Sequence, residues 1–291
     1  MMPSIGGVAR RWALASLFVV SSVNLACEDS GKKSAKEAQA HLDFLVKAAQ
    51  RDVGEVRNGL PAGAQLLAPL FDEVAPELPA AANVREELLR VRSANDDLDS
   101  AKSTFFLVAG PDGSILRNNL ETDEMAGKNL FEVYPEAKAA RKTGYFEFDG
   151  SWDIARGVNG RPDAQWVAAA SIMAADGKSE SGLFVAGWSW SAYAYRLEMS
   201  LRSDILGSME EGQKLPLLYV YVLVGDKSYG APVAPVLNGQ ELLKLKPLEK
   251  LKGDQIYARP ITIERREFGV AMRRVPELGQ DVIIAVLRSE T

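Results

Sequence analysis

The chain has one histidine and one cysteine among 291 residues, and that scarcity removes whole classes of chemistry. A lone thiol, Cys27, cannot form an internal disulfide, so the fold has to be held by packing. With His41 as the sole imidazole, a histidine-assisted serine or cysteine nucleophile has no evident base, and a histidine-rich zinc or iron site cannot be assembled. His41 itself, just ahead of Phe44 and Leu45, reads as a solvated or capping side chain. A Gly-rich phosphate loop is missing; Gly157, Asn159, Gly160 and Pro162 read as a surface turn. Positive charge is also short: the formal net charge is -5, which makes nucleic acid a poor partner. No cofactor is expected. Enzyme chemistry survives only as a carboxylate pair, Asp149 with Asp153, which more simply forms a polar turn beside Gly150.

What is present begins with a leader. Met1 to Arg11 carries Arg10 and Arg11 without an acid, Trp12 to Val20 is apolar, and Ser21 to Ala26 is small or polar up to Cys27, the layout of a secretory signal. The apolar stretch is far short of the roughly 20 residues of a spanning helix, so residues 1–26 read as a cleaved signal peptide. Cys27 behind Leu25-Ala26 stands where a bacterial lipoprotein presents the thiol that is lipidated, although Asn24 replaces the usual leucine. The other reading is ordinary cleavage near Ala26, leaving a free thiol. The Arg10-Arg11 pair resembles a twin-arginine export signal, which Trp12, Ala13 and Leu14 fit poorly. Removing the leader takes away two arginines and no acid, so the charge moves from -5 to -7. About 260 residues remain, enough for one large domain or two small cores.

The remaining chain divides by pattern. Glu28 to Lys33 reads as part of a polar tether over 27–33. Ser34 and Glu37 form a capping box that starts a helix, and Leu42, Leu45, Val46, Ala49, Val53 and Val56 give it one apolar face until Asn58-Gly59 and Pro61 end it. Further helices are expected over Ala64 to Val74 and Asn83 to Leu98, completing a helical segment over 34–103 that packs as a scaffold rather than a coiled coil, since prolines interrupt any heptad register. Phe105 to Asn119 is a strand, a Pro-Asp-Gly turn and a strand; Met125 to Gly144 is an amphipathic helix; Trp166 to Trp190 is two more strands about an Asp-Gly turn. A weaker echo of the first hairpin returns at Leu217 to Tyr229, so the chain is built twice. A helix over 191–212, with Tyr195, Met199, Arg202 and Ile205-Leu206 along it, connects a first unit (104–190) to a second (213–291). In the second, residues 238–253 give a helical cover, Ile256 to Val275 a hairpin turned at Arg265-Arg266, and Val282 to Ser289 a strand buried on both sides. The fold class is therefore α+β, an N-terminal helical segment followed by two antiparallel-sheet units joined by a helix.

This succession resembles the double Cache family, extracytoplasmic sensor domains built from two PAS-like units, over roughly Ala35 to Arg288. The resemblance implies a larger first unit that holds a ligand between its sheet and a covering segment. Here the cover is Tyr145 to Asp163, and four of the five tryptophans fall between Trp152 and Trp190. The candidate ligand-binding residues are Tyr145, Trp152, Arg156, Trp166, Ser171, Trp188 and Trp190, with Arg156 placed to pair a carboxylate or stack on a ring. Aromatic residues on strands are equally the material of a core. Amino-acid-binding members carry an acid near the end of the last strand; this chain has Gly187-Trp188-Ser189-Trp190 there, which leaves an organic acid, an aromatic compound or a cation at least as plausible as an amino acid. The implied function is non-catalytic sensing of a small molecule in the cell envelope, by an exported and lipid-anchored protein. With no output module before Thr291, the signal is expected to pass to a separate signalling or envelope protein. The alternative is an envelope interaction protein that keeps the sensor fold without a pocket.

Overall fold

The computed structural model describes residues 12–72, 78–161 and 163–290, with side chains from residue 30 onward. Met1 to Arg11 and the side chain of Cys27 lie outside the described residues. Helix α1 spans Trp12–Asp72, followed by α2 (Ala81–Ser93) and the short α3 (Asp96–Ser100). The first sheet and its cover comprise β1 (Phe105–Ala109), β2 (Ile115–Asn118), α4 (Leu130–Val133), α5 (Ala140–Thr143), β3 (Tyr145–Gly150), β4 (Gln165–Met173) and β5 (Glu180–Ser189). Helix α6 (Trp190–Ser208) leads to β6 (Leu217–Val224), β7 (Lys227–Gly230), α7 (Val236–Lys244), α8 (Pro247–Lys250), β8 (Tyr257–Ile263), β9 (Arg266–Arg274) and β10 (Val282–Ser289). Each sheet is five-stranded and antiparallel, in the orders β2-β1-β5-β4-β3 and β7-β6-β10-β9-β8. The second order repeats the first strand for strand, so the duplication visible in the sequence is a duplication of topology.

Strand alternation distributes side chains among three cores. Even positions of β4 (Trp166, Ala168, Ala170) point to the helical side, and odd ones (Val167, Ala169) to the cover. The second sheet does the same with Val220 and Val222 against Tyr221 and Leu223. Helix α1 lies along the helical side of both sheets and unites them in the largest core. Strand β10, central in its sheet, is buried on both faces.

Helix α1 corrects three expectations. It does not start at Ser34 or end near Gly59, and Glu28 to Lys33 is part of it rather than a tether. Ser34 is buried against the second sheet, where a methyl group on Gly269 of β9 would lie 2.1 Å from the Ser34 carbonyl carbon. This contact of backbone on backbone occupies Ser34 in packing rather than capping. At the other end, a Cβ on Gly59 would come within 2.9 Å of the Leu98 side chain and 3.1 Å of Asp97, so that glycine admits close neighbours and does not terminate the helix. Pro61 removes one backbone donor at a cost of about 3 kcal/mol. The apolar stripe continues past it from Leu60 to Ala64, Leu67 and Phe71, all buried, and full burial contributes about 1.5–3 kcal/mol for each large side chain among them. Packing therefore outweighs the local break.

Smaller departures have similar causes. The expected helix from Asn83 to Leu98 is two helices, because the Asn95 side chain accepts from the Leu98 amide and starts α3 afresh. Pro135 interrupts the helix expected over Met125 to Gly144, leaving α4, a 3-10 turn and α5. In α6 the buried face is Tyr193, Ala194, Leu197, Leu201 and Ile205; of the connector residues singled out from sequence Ile205 is buried and Arg202 donates to the Leu218 carbonyl of β6 at 2.7 Å, whereas Tyr195 and Met199 are 45% and 46% exposed. The β8–β9 turn falls at Glu264-Arg265 rather than Arg265-Arg266, with Arg266 already paired to Ile263. Both turn residues have positive φ, 46° and 69°, a strained conformation for side chains with a Cβ.

Candidate functional site

The seven sequence-derived site residues divide between the two faces of the first sheet. Trp166 and Trp188 are direct cross-strand partners, so the pleat sends both to the helical side. Their rings stack at 4.2 Å, and Trp188 stacks on Tyr193 of α6 at 4.8 Å. Trp190 meets Tyr193 edge-on from the first turn of α6. All three tryptophans are fully buried. Tyr145 is also on this side, and its hydroxyl donates to Glu147 Oε1 at 2.8 Å. Glu147 in turn accepts from Nε and Nη2 of Arg57 from α1, at 2.6 and 2.9 Å.

Trp152 and Ser171 belong to the opposite, cover side. Trp152 packs edge-on against Tyr134, and Ser171 Oγ donates to the Ala140 carbonyl at 3.0 Å. Arg156 forms an ion pair with Asp153 three residues away. The structure brings Tyr145, Trp166, Trp188 and Trp190 together on one side and Trp152 and Ser171 on the other: Trp166 and Ser171 are five positions apart on β4, an odd spacing that the pleat sends to opposite faces. The cover-side interior is filled by Tyr134, Phe148, Trp152, Leu107, Val167 and Val185. The Asp149–Asp153 pair separates too, with Asp153 held by Arg156 and Asp149 at the end of β3 facing a cleft between the units.

Three polar residues that sequence reasoning missed organise the region. Gln165 is fully buried at the start of β4; its amide oxygen accepts from the Trp152 backbone at 2.7 Å and from the Tyr134 hydroxyl at 3.1 Å. It closes the cover onto the sheet, and a lone glutamine opening an apolar strand is the signal that could have found it. Burial pushes the Tyr134 hydroxyl well above its ordinary range, so it stays a neutral donor. Asp163 accepts from Ser189 Oγ at 2.6 Å, from the Gly157 amide at 2.9 Å and from the Ser191 amide at 3.3 Å. Because Ser189 caps α6 through the Ala192 amide, one carboxylate ties the covering loop to the start of the connecting helix. Asp52 of α1 is buried and accepts from the Tyr193 hydroxyl at 3.1 Å; burial raises its pKa, which the Tyr193 bond partly offsets.

Open space lies where the units meet. A cleft of about 550 Å³ is bounded by Glu136 and Asp149 of the first unit, Trp190 of α6, and Asp226, Tyr229 and Asp281 of the second. On the other side of β7 a cavity of about 280 Å³ lies under α7, with Arg161 of the first unit at its edge. Arg161 donates to the Ala234 carbonyl at 3.3 Å, so the covering loop of the first unit touches the second. Among the described residues no helix is long and apolar enough to cross a membrane.

No protein-family model and no curated protein matches the chain. Solved structures do. A structure of methyl-accepting chemotaxis protein X is 12% identical, with 88% of this chain and 97% of that one covered and a TM-score of 0.50. The periplasmic sensory domain of the Campylobacter jejuni chemoreceptor Tlp1 is 15% identical, covering 88% and 94%, with a TM-score of 0.49. The ligand-binding domain of the Pseudomonas aeruginosa PAO1 amino acid chemoreceptor PctB, solved with L-Arg, is 13% identical, covering 88% and 96%, with a TM-score of 0.48. At such identities the likeness concerns the fold alone, and the chain has the double Cache fold expected from its sequence.

Proposed function

We propose that this protein is a non-catalytic extracytoplasmic sensor that binds a small molecule and passes a conformational change to a separate partner. The observation that carries the reading is the cleft between the units. An occupant there touches the first sheet, the first residue of α6 and the second sheet together, so its binding energy depends on how the units are set against one another. The knot at Asp163 offers a physical route, since displacement of the covering loop pulls on the cap of α6. A thermal-shift screen of the purified protein against metabolites tests the reading, because a ligand at about 100 times its Kd adds about 2.7 kcal/mol of stability.

The second reading, an envelope interaction protein with the sensor fold and no ligand pocket, is favoured by the filled interior of the first unit and the burial of Trp188 and Trp190. A screen without a single stabilising compound would support it over sensing.

Export through the leader and acylation of Cys27 complete the proposal. Each buried methylene of an acyl chain contributes about 0.8 kcal/mol, so Cys27→Ser should move the protein from the membrane to the soluble fraction. A Cys27→Ser protein as membrane-bound as the parent would remove the anchor from the account.

A further inference from the structure

Two donors in the lining of the cavity under α7 lack the acceptors that burial calls for. Ser191, in the first turn of α6, is 4% exposed, and among the described residues its hydroxyl makes no hydrogen bond. The amides around it are taken: Trp190 donates to the Ala164 carbonyl, Ser191 to Asp163 and Ala192 to Ser189 Oγ. Arg161 is half-buried and forms no ion pair among the described residues; its one bond runs from Nη1 to the Ala234 carbonyl, which leaves four N–H groups. Asp163, two positions on, cannot serve it, because its oxygens already accept from the Gly157, Ala164 and Ser191 amides and from Ser189 Oγ. Charges and hydroxyls withdrawn from water are normally paired, so two unpaired donors lining one cavity mark where a bound group completes them.

The rest of the lining narrows what carries that group. Asp226 and Lys227, at the β6–β7 turn, are exposed and of opposite sign, so water screens them and Arg161 decides the charge. A carboxylate accepts from a guanidinium and a hydroxyl at once. A phosphate ester carries a second charge, for which the lining has no second half-buried cation. Val236, 55% exposed, and half-buried Leu243 give α7 an apolar surface on the cavity. An apolar cavity of about 150 Å³ accommodates benzene. One of about 280 Å³ therefore takes a ring or a branched alkyl group together with its acid.

We propose that the cavity under α7 binds a small monocarboxylate with a compact apolar body, an arylacetic or branched-chain acid, its carboxylate on Arg161 and Ser191 and its body against Val236 and Leu243. Such an occupant joins the covering loop of the first unit to α7 of the second. The site goes beyond the sensor reading. It shares β7 as a wall with the cleft between the units but none of these four residues, so the two can fail separately.

Titration calorimetry of the full chain tests it, with phenylacetate and 4-methylpentanoate as probes and phenylacetamide, 2-phenylethylamine and acetate as comparisons. At least one probe should bind one to one, about tenfold or more tightly than all three comparisons. Arg161→Gln, which can still donate to Ala234, should lose about tenfold or more in affinity and Ser191→Ala about threefold, both at unchanged Tm. Lys142→Gln, exposed on α5, should lose nothing. The bound probe should also slow amide exchange in α7. No binding of either probe, tighter binding of the amide or the amine, full affinity in Arg161→Gln or Ser191→Ala, or unchanged exchange in α7 would overturn the proposal. Equal losses in Arg161→Gln and Lys142→Gln would overturn it too, by showing attraction to positive charge at large. Each of these results leaves the sensor reading of the cleft standing.

Discussion

Trp188 and Arg156 were singled out together from the sequence, yet their surroundings give them opposite consequences when truncated. Trp188 is fully buried between two stacked rings, so Trp188→Ala should cost about 3–5 kcal/mol in urea denaturation. Arg156 shares a local ion pair with exposed Asp153, and Arg156→Ala should change stability by less than about 1 kcal/mol. A Trp188→Ala protein as stable as the parent would show that the stack is not core. The tryptophans were legible as a cluster; their face was not. Strand β4 reads Gln-Trp-Val-Ala-Ala-Ala, apolar in both phases because both faces are buried, so the alternation that would assign a face is absent from the composition.

His41 yields a pH dependence. It is half-buried and its Nε2 lies 2.5 Å from an Arg288 nitrogen, so the neutral ring accepts from that guanidinium and joins α1 to β10. Burial first, then the Arg288 charge, lowers its pKa from 6.5. The folded state thus disfavours the proton, so the stability linked to His41 is present above 6.5 and is lost as pH falls through the lowered folded-state value. Thermal melts of the parent should show this loss, and His41→Gln, which keeps an acceptor without titrating, should flatten the profile across that window. An unaltered profile in the variant would assign the loss to other groups.

Among the elements, α1 differs most from its sequence reading. Glycine and proline act locally as breakers, and nothing in a single sequence shows that a glycine is needed for close contact with a distant strand. Two substitutions separate the roles. Gly54 has no heavy atom within 4 Å of a built Cβ, so Gly54→Ala should gain about 0.5–1 kcal/mol from helix propensity alone. Gly269→Ala would force a methyl into the Ser34 backbone and should destabilise strongly or prevent folding. Circular dichroism melts of both variants decide this, and a stable Gly269→Ala protein would contradict the close packing of α1 on β9. The strands and hairpins were legible because Pro-Asp-Gly and Asp-Gly turns punctuate apolar runs. Tyr195 and Met199 of α6 are apolar by type yet lie on its exposed side, which residue type alone does not show.

For the whole molecule, the repeated strand order places two similar sheets on one long helix and leaves a cleft where they meet. The duplication could be read from sequence; the cleft could not, since its walls come from residues 133 to 281 and no local pattern brings Glu136 and Asp281 to one cleft. Its position makes the central claim testable: a ligand bound between the units alters both of them. Hydrogen exchange should be measured with and without the compound that gives the largest shift in the thermal screen. The account predicts changed protection in β7, in the first turns of α6 and in the covering loop around Gly157 and Arg161. Protection that changed in one unit alone, with α6 unaffected, would contradict it.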